Sequence, residues 1–142
     1  MYTSQQQDDV LAGKQVYLLR NESKRGLGFF EANNFYPDFI LWILDGEKQY
    51  ITFIDPKGIR NLKGLEDDKI QLFKYLQTEV ASQLGNAHLM LNSFIISNTP
   101  MEQVEFWLKN PFEKGEFQKN HVLFKDDKGY LETMVDMILQ YM

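Results

Sequence analysis

The feature that most constrains this chain is a pair of short, nearly continuous apolar runs set around Asp45-Gly46. Phe39–Leu44 (FILWIL) precedes the pair and Tyr50–Ile54 (YITFI) follows it. Asp-Gly between β-branched and aromatic runs signals a hairpin, because glycine supplies the positive φ that a tight turn demands. A strand with one wet face alternates apolar and polar residues. These runs do not alternate, so both of their faces need cover, and the hairpin is expected at the centre of a sheet between layers of helix.

The remaining sequence supplies the other elements. Gln15–Arg20 (QVYLLR) reads as a strand. Leu65–Leu84 has helical spacing, with Ile70, Phe73, Leu76 and Val80 on one stripe, Asp67 and Asp68 in the first turn and Gly85-Asn86 as the stop. His88–Ser97 is a further strand, Thr99-Pro100 opens a helix through Lys109, and Asn110–Asn120 reads as loop. His121–Phe124 is a short strand and Tyr130–Met142 an amphipathic closing helix. This order predicts an α/β fold, a mixed central sheet flanked by helices on both faces. No repeat or linker divides the 142 residues, so residues 1–142 form a single domain, in which Met1–Gly13 is polar and partly frayed at its start.

Composition narrows the chemistry. With no cysteine and two histidines, disulfides, thiolate sites and Cys/His zinc sites are excluded, and any metal is an oxygen-bound ion such as Mg²⁺ or Mn²⁺. No stretch approaches the roughly 20 apolar residues of a membrane span, and the start carries no signal-peptide pattern, so a cytoplasmic protein without membrane contact is expected. The net charge of −5 argues at first against nucleic acid. From Lys14 to Lys63, however, eight basic residues stand against six acidic ones. If some of those acids hold a metal ion, this segment becomes strongly electropositive.

The hairpin also aligns charged groups. With the turn centred between Gly46 and Glu47, Asp38 falls opposite Asp55, with Cβ atoms about 4.5–5.5 Å apart. Alternation brings Asp55 and Lys57 out on one face, with Pro56 turned away and lacking an N–H for the ladder. Facing carboxylates repel, and apolar neighbours penalise their ionised forms. A divalent cation between them removes both problems, and Lys57 could then position or help deprotonate a water beside a scissile phosphate. The alternative is that both aspartates merely end their strands, with Lys57 as a salt-bridge partner.

Tyr36-Pro37-Asp38-Phe39, with sixteen residues between Asp38 and Asp55-Pro56-Lys57-Gly58, resembles the PD-(D/E)xK signature of restriction-endonuclease-like nucleases. The longer strings GLGFFEANNFYPDFILW and YITFIDPKGI are similar to the C-terminal nuclease region of DEAD/DEAH-type helicases of the type III restriction subunit kind. The likeness spans about Val16 to Gly58. It implies a restriction-endonuclease-like fold, metal-dependent hydrolysis of DNA phosphodiesters, Asp38 and Asp55 as metal ligands, Lys57 as the catalytic lysine and Mg²⁺ or Mn²⁺ as cofactor. Asp55 stands where many relatives carry Glu, which shortens its reach. No GxxxxGK[ST] phosphate loop occurs, so the chain has no motor of its own, and the resemblance implies a helicase or ATPase module in cis or in trans.

Further residues are candidates beside this core. Gln71 and Tyr75 resemble the QxxxY element of recombination-helicase nucleases and, at i and i+4, share a helix face that could flank the site. Glu31 is either a further acid of the site or a loop carboxylate pairing with Lys24 or Arg25. Arg20, Lys24 and Arg25, beside Gly26 and Gly28, could grip a DNA backbone or be solvated. Phe29, Phe30, Phe35 and Tyr36 could stack on bases or pack in the core. His88 and His121 read as structural, and Trp42 and Trp107, on apolar stripes, as core. The rival function is a non-catalytic nucleic-acid-binding or protein-interaction module that keeps the nuclease fold.

Overall fold

The computed structural model describes residues 13–21, 37–57, 67–85, 87–100 and 114–140. Glu31, Lys24, Arg25, Phe29, Phe30, Phe35, Tyr36 and Trp107 lie outside the described residues, as does the expected helix beyond Pro100.

The hairpin forms where the apolar runs predict it. Strand β2 (Phe39–Asp45) pairs antiparallel with β3 (Lys48–Lys57) from Asp45↔Lys48 to Phe39↔Ile54. Gly46 takes the turn at φ 60°, a left-handed conformation that costs glycine little. Strand β1 (Gln15–Arg20) adds antiparallel to β2. On the far side of β3, β4 (Leu89–Ser97) pairs in parallel, and β5 (Val122–Phe124) pairs in parallel with β4. The result is one mixed five-stranded sheet in the order β1-β2-β3-β4-β5.

Helices cover both faces, as two apolar faces require. On one face Ile40, Phe53, Leu91, Ile95 and Val122 pack against Ile70, Leu72, Leu76 and Phe117. On the other, Leu41, Ile43, Tyr50, Ile54 and Phe94 pack against Met134, Val135 and Ile138. The first cover is α1, α-helical over Leu72–Tyr75, π-helical over Leu76–Val80 and α-helical again over Ala81–Leu84. Within it the Thr78 hydroxyl donates back to the Lys74 carbonyl at 2.7 Å, the kind of side-chain bond that disturbs regular winding. Gly85 ends α1 at φ 60°. The opposite face is covered by α3 (Tyr130–Gln140), an amphipathic helix. No helix among the described residues is long and apolar enough to cross a membrane.

Two expectations need correction. The expected helix start at Leu65 lies outside the described residues, and within them residues 67–71 form a turn before regular helix begins at Leu72: the Asp67 carboxylate accepts from Lys69 N–H at 2.9 Å, and its carbonyl from Ile70 and Gln71. The aspartate side chain thus organises a turn that competes with helix. The segment read as loop from Asn110 contains α2 (Lys114–Lys119). A single apolar residue, Phe117, anchors it edge-on to Phe124 at 5.1 Å, so there was no periodicity to detect.

Between α2 and β5, His121 takes φ 62° and sits between two rings: Phe73 of α1 at 3.6 Å and Phe94 of β4 at 4.5 Å. Its Nδ1 lies 2.9 Å from the Ser93 carbonyl, which fixes the tautomer with Nδ1 as donor. Burial, with a smaller contribution from the Lys74 charge, outweighs the Ser93 bond and lowers its pKa from the ordinary 6.5 to about 4. Because the folded value lies below the unfolded one, the neutral ring's contribution is fully present above pH 6.5 and is lost as pH falls towards 4. Chemical denaturation should show a loss on the order of 2 kcal/mol between pH 7 and pH 5 from this residue. His121→Asn, which tolerates the positive φ, should be less stable at pH 7 but show a visibly flatter pH dependence over that interval; an unchanged slope would mean that His121 is not its source.

Candidate functional site

The ladder of β2 with β3 ends at Phe39↔Ile54, and the next residue on each side of it is an aspartate, Asp38 and Asp55. The backbone N–H of Asp38 donates to Asp55 Oδ1 at 3.0 Å. Asp55 is buried, with 3% of its surface exposed, whereas Asp38 is half-buried. Alternation from Phe53 puts Asp55 on the face covered by α1 and α2. A charged residue at this depth is unusual, and the charge-assisted bond to the Asp38 amide offsets part of its desolvation. The two aspartates are thus joined by an amide-to-carboxylate bond just beyond the end of the ladder.

Lys57 ends β3, two residues beyond Asp55 and opposite Ser97 of β4; its side chain lies outside the described residues. Pro56 stays within the strand instead of ending it: β3 runs one residue further, and Pro56 pairs with Ile96. Its ring lies on the opposite face, where it lines an apolar cleft of about 250 Å³ with Phe39, Ile54, Ile96 and Leu131, rimmed by Lys125. The carboxylates and the cleft thus sit at one end of the same strand, on opposite faces.

A third bracing element comes from Asn21, immediately after β1, which the sequence reading did not single out. Its backbone N–H donates to the Asp38 carbonyl at 2.8 Å, and its side-chain Nδ2 donates to the Pro37 carbonyl at 2.9 Å. Asn21 is itself buried, 9% exposed. A short amide-bearing residue at a strand exit is the available sequence signal, since such side chains commonly bond nearby backbone.

The other candidates are placed as follows. Arg20, exposed at the end of β1, carries its guanidinium 5.5 Å from the centre of the Phe39 ring, a cation–π contact. Gln71 donates from Nε2 to Asn120 Oδ1 at 2.8 Å, tying the start of α1 to the residue after α2. Tyr75 packs against the core on the same face. In the parallel ladder Asp55 is level with Ile95 and Val122, and Asn120 stands two residues before Val122, so Gln71 is anchored on the β5 side of the sheet. Trp42 donates from its indole to Gln49 Oε1 at 3.2 Å, a structural role on the hairpin.

Among the described residues no group of three or more His, Asp or Glu side chains gathers as a metal cluster. Two carboxylates are nevertheless a suitable set for Mg²⁺, which binds through one or two carboxylates and keeps several waters. The pair fits such an ion chemically: hard oxygen donors, one of them buried at the end of a strand, the other half-open to solvent.

The 3.0 Å bond gives Asp55 a measurable structural role even without metal. In chelator-treated buffer, Asp55→Asn keeps an acceptor for the Asp38 amide, whereas Asp55→Leu leaves that amide unpaired. Urea titrations should place the leucine variant about 1–3 kcal/mol below the asparagine variant. Equal stabilities would show that the bond contributes nothing. No family model, curated protein or solved structure matches the chain.

Proposed function

We propose that the chain is a metal-dependent nuclease of the PD-(D/E)xK type, with a restriction-endonuclease-like fold, that hydrolyses DNA phosphodiesters in the cytoplasm. The observation that carries this reading is the meeting of Asp38 and Asp55 at the open end of the central hairpin, with Lys57 two residues along the same strand. The mixed sheet with helices on both faces is compatible with such a fold.

In this reading Asp38 and Asp55 hold Mg²⁺ or Mn²⁺, which when bound supplies the positive charge that activates water and neutralises the phosphate. Asp55, buried and fixed by the Asp38 amide, gives the site a rigid wall; Asp38, half-open, faces the side from which substrate arrives. Lys57 would hold a cationic donor beside the scissile phosphate and orient the attacking water. Arg20, which shares the cleft face with its partner Phe39 and not the face of Asp55, contacts the DNA backbone from the exposed edge of β1, with Lys24 and Arg25, where cations position the substrate without reading sequence. Glu31, Gln71 and Tyr75 are auxiliary residues of the site, and a helicase or ATPase module acts with the chain in cis or in trans.

A second reading draws on the same bond. If Asp55 serves only to close the hairpin, the chain is a non-catalytic nucleic-acid-binding or protein-interaction module of the same fold. Cleavage assays on plasmid and linear DNA with Mg²⁺ or Mn²⁺ separate the two. Asp38→Ala, Asp55→Asn and Lys57→Ala should each lower cleavage by a factor on the order of a hundred or more while remaining folded. Near-native cleavage by any variant removes that residue from the mechanism, and no cleavage by the wild type with either ion favours the second reading. With a net charge of −5, the chain alone should bind DNA weakly and with steep salt dependence, through few phosphate contacts. Tight binding that survives high salt would contradict this.

A further inference from the structure

Three strand ends meet at the aspartates, and each is tied to the next. From β3, the Asp55 carboxylate accepts the Asp38 N–H at 3.0 Å. From the exit of β1, Asn21 donates its backbone N–H to the Asp38 carbonyl at 2.8 Å and its side-chain amide to the Pro37 carbonyl at 2.9 Å. The Pro37-Asp38 unit is therefore held from both neighbours, through both polar groups of the Asp38 backbone and the carbonyl that precedes it.

This matters because Asp38 lies one residue outside the regular ladder of β2. A residue there has lost the pairing that fixes φ and ψ further along the strand, and proline before it supplies no N–H of its own. Without a brace, the peptide could rotate and carry the Asp38 carboxylate away from Asp55. The Asn21 side chain supplies the brace from a buried position, where its amide is shielded from competing water.

We infer that Asn21 is a positioning residue: through its bond to the Pro37 carbonyl it sets the Asp38 carboxylate against Asp55, and so sets the affinity of the pair for a divalent cation. The inference rests on the proposed metal-dependent reading for its cation but not for its brace. Partners that orient a ligand act on its affinity without touching the ion, and losing one commonly weakens binding about 10–100-fold. The Asn21 backbone bond to Asp38 survives any substitution at this position except proline, so removing the side chain isolates the contribution of the amide.

The test uses the full chain and two measurements. In metal-free buffer, hydrogen exchange at the Asp38 amide, followed by NMR, reads the brace directly. Asn21→Ala should accelerate that exchange about tenfold or more while amides at the centre of β3 stay protected, because local opening is uncoupled from global unfolding. Mn²⁺ titration, followed by the electron paramagnetic resonance of the free ion, should then show about tenfold weaker binding than wild type. Asn21→Ser, a smaller perturbation of the fold, should change both measurements in the same direction if the alanine variant folds poorly. Unchanged Asp38 exchange in both variants would overturn the brace whatever the metal does. Faster exchange with undiminished Mn²⁺ affinity would reduce Asn21 to a strut and overturn its positioning role. If the wild type itself binds no Mn²⁺, the metal-dependent reading fails and the positioning role with it, while the exchange result still reports whether the brace exists.

Discussion

The structure depends on the burial of β2 and β3 on both faces. Ile40 and Phe53 face one core, Leu41, Ile43 and Ile54 the other, and all five are nearly inaccessible. Each face must be roofed, and the chain after β3 does this in two steps: α1 and α2 cover one side on the crossovers to β4 and β5, and α3 returns over the other. Parallel pairing of β4 to β3 follows, because a helical crossover returns the chain in the direction it left. At the outer edge this pressure relaxes. Tyr17, Leu18 and Leu19 of β1 remain nearly half exposed, whereas Leu41 and Ile40, the β2 partners of Leu18 and Leu19, are buried.

The apolar runs made most of this sheet legible. Continuous hydrophobic sequence around a glycine turn fixed the hairpin, and the predicted pairing of Asp38 with Asp55 agrees with the ladder because β2 and β3 carry no bulge that would shift it. The elements that sequence missed or misplaced are those governed by a single side chain. Phe117 alone holds α2 to the sheet, with none of its surface exposed, and one residue has no period. Asp67 delays the start of α1 by bonding its own neighbours, a local preference that the apolar stripe does not report.

The candidate site was legible for a different reason. A carboxylate at the end of an apolar strand is conspicuous, and two at matched positions more so. What residue spacing cannot supply is the direction of hydrogen bonds. Asp55 accepts from the backbone of Asp38, so the pair is joined through a main-chain amide. Asn21 was invisible for the same reason: its role lies in which carbonyls it reaches across a long sequence separation. Gln71, chosen from a motif, donates its amide N–H to Asn120, a bond that spacing likewise does not foretell.

Two-sided burial also has a cost in alignment. Strands with one polar face cannot slip by one residue without turning their apolar side chains to water. β3 has no such safeguard, since Tyr50 to Ile54 would meet apolar surroundings on either face. Slippage must be resisted at the ends of the hairpin. At one end stands Gly46, whose left-handed turn admits one loop geometry. At the other stands Asp55, because a shift of one position would bring Ile54 or Pro56 opposite the Asp38 amide, and neither side chain can accept its proton. The buried carboxylate therefore acts as a stop that holds the two strands in step, a task it performs before any ligand arrives.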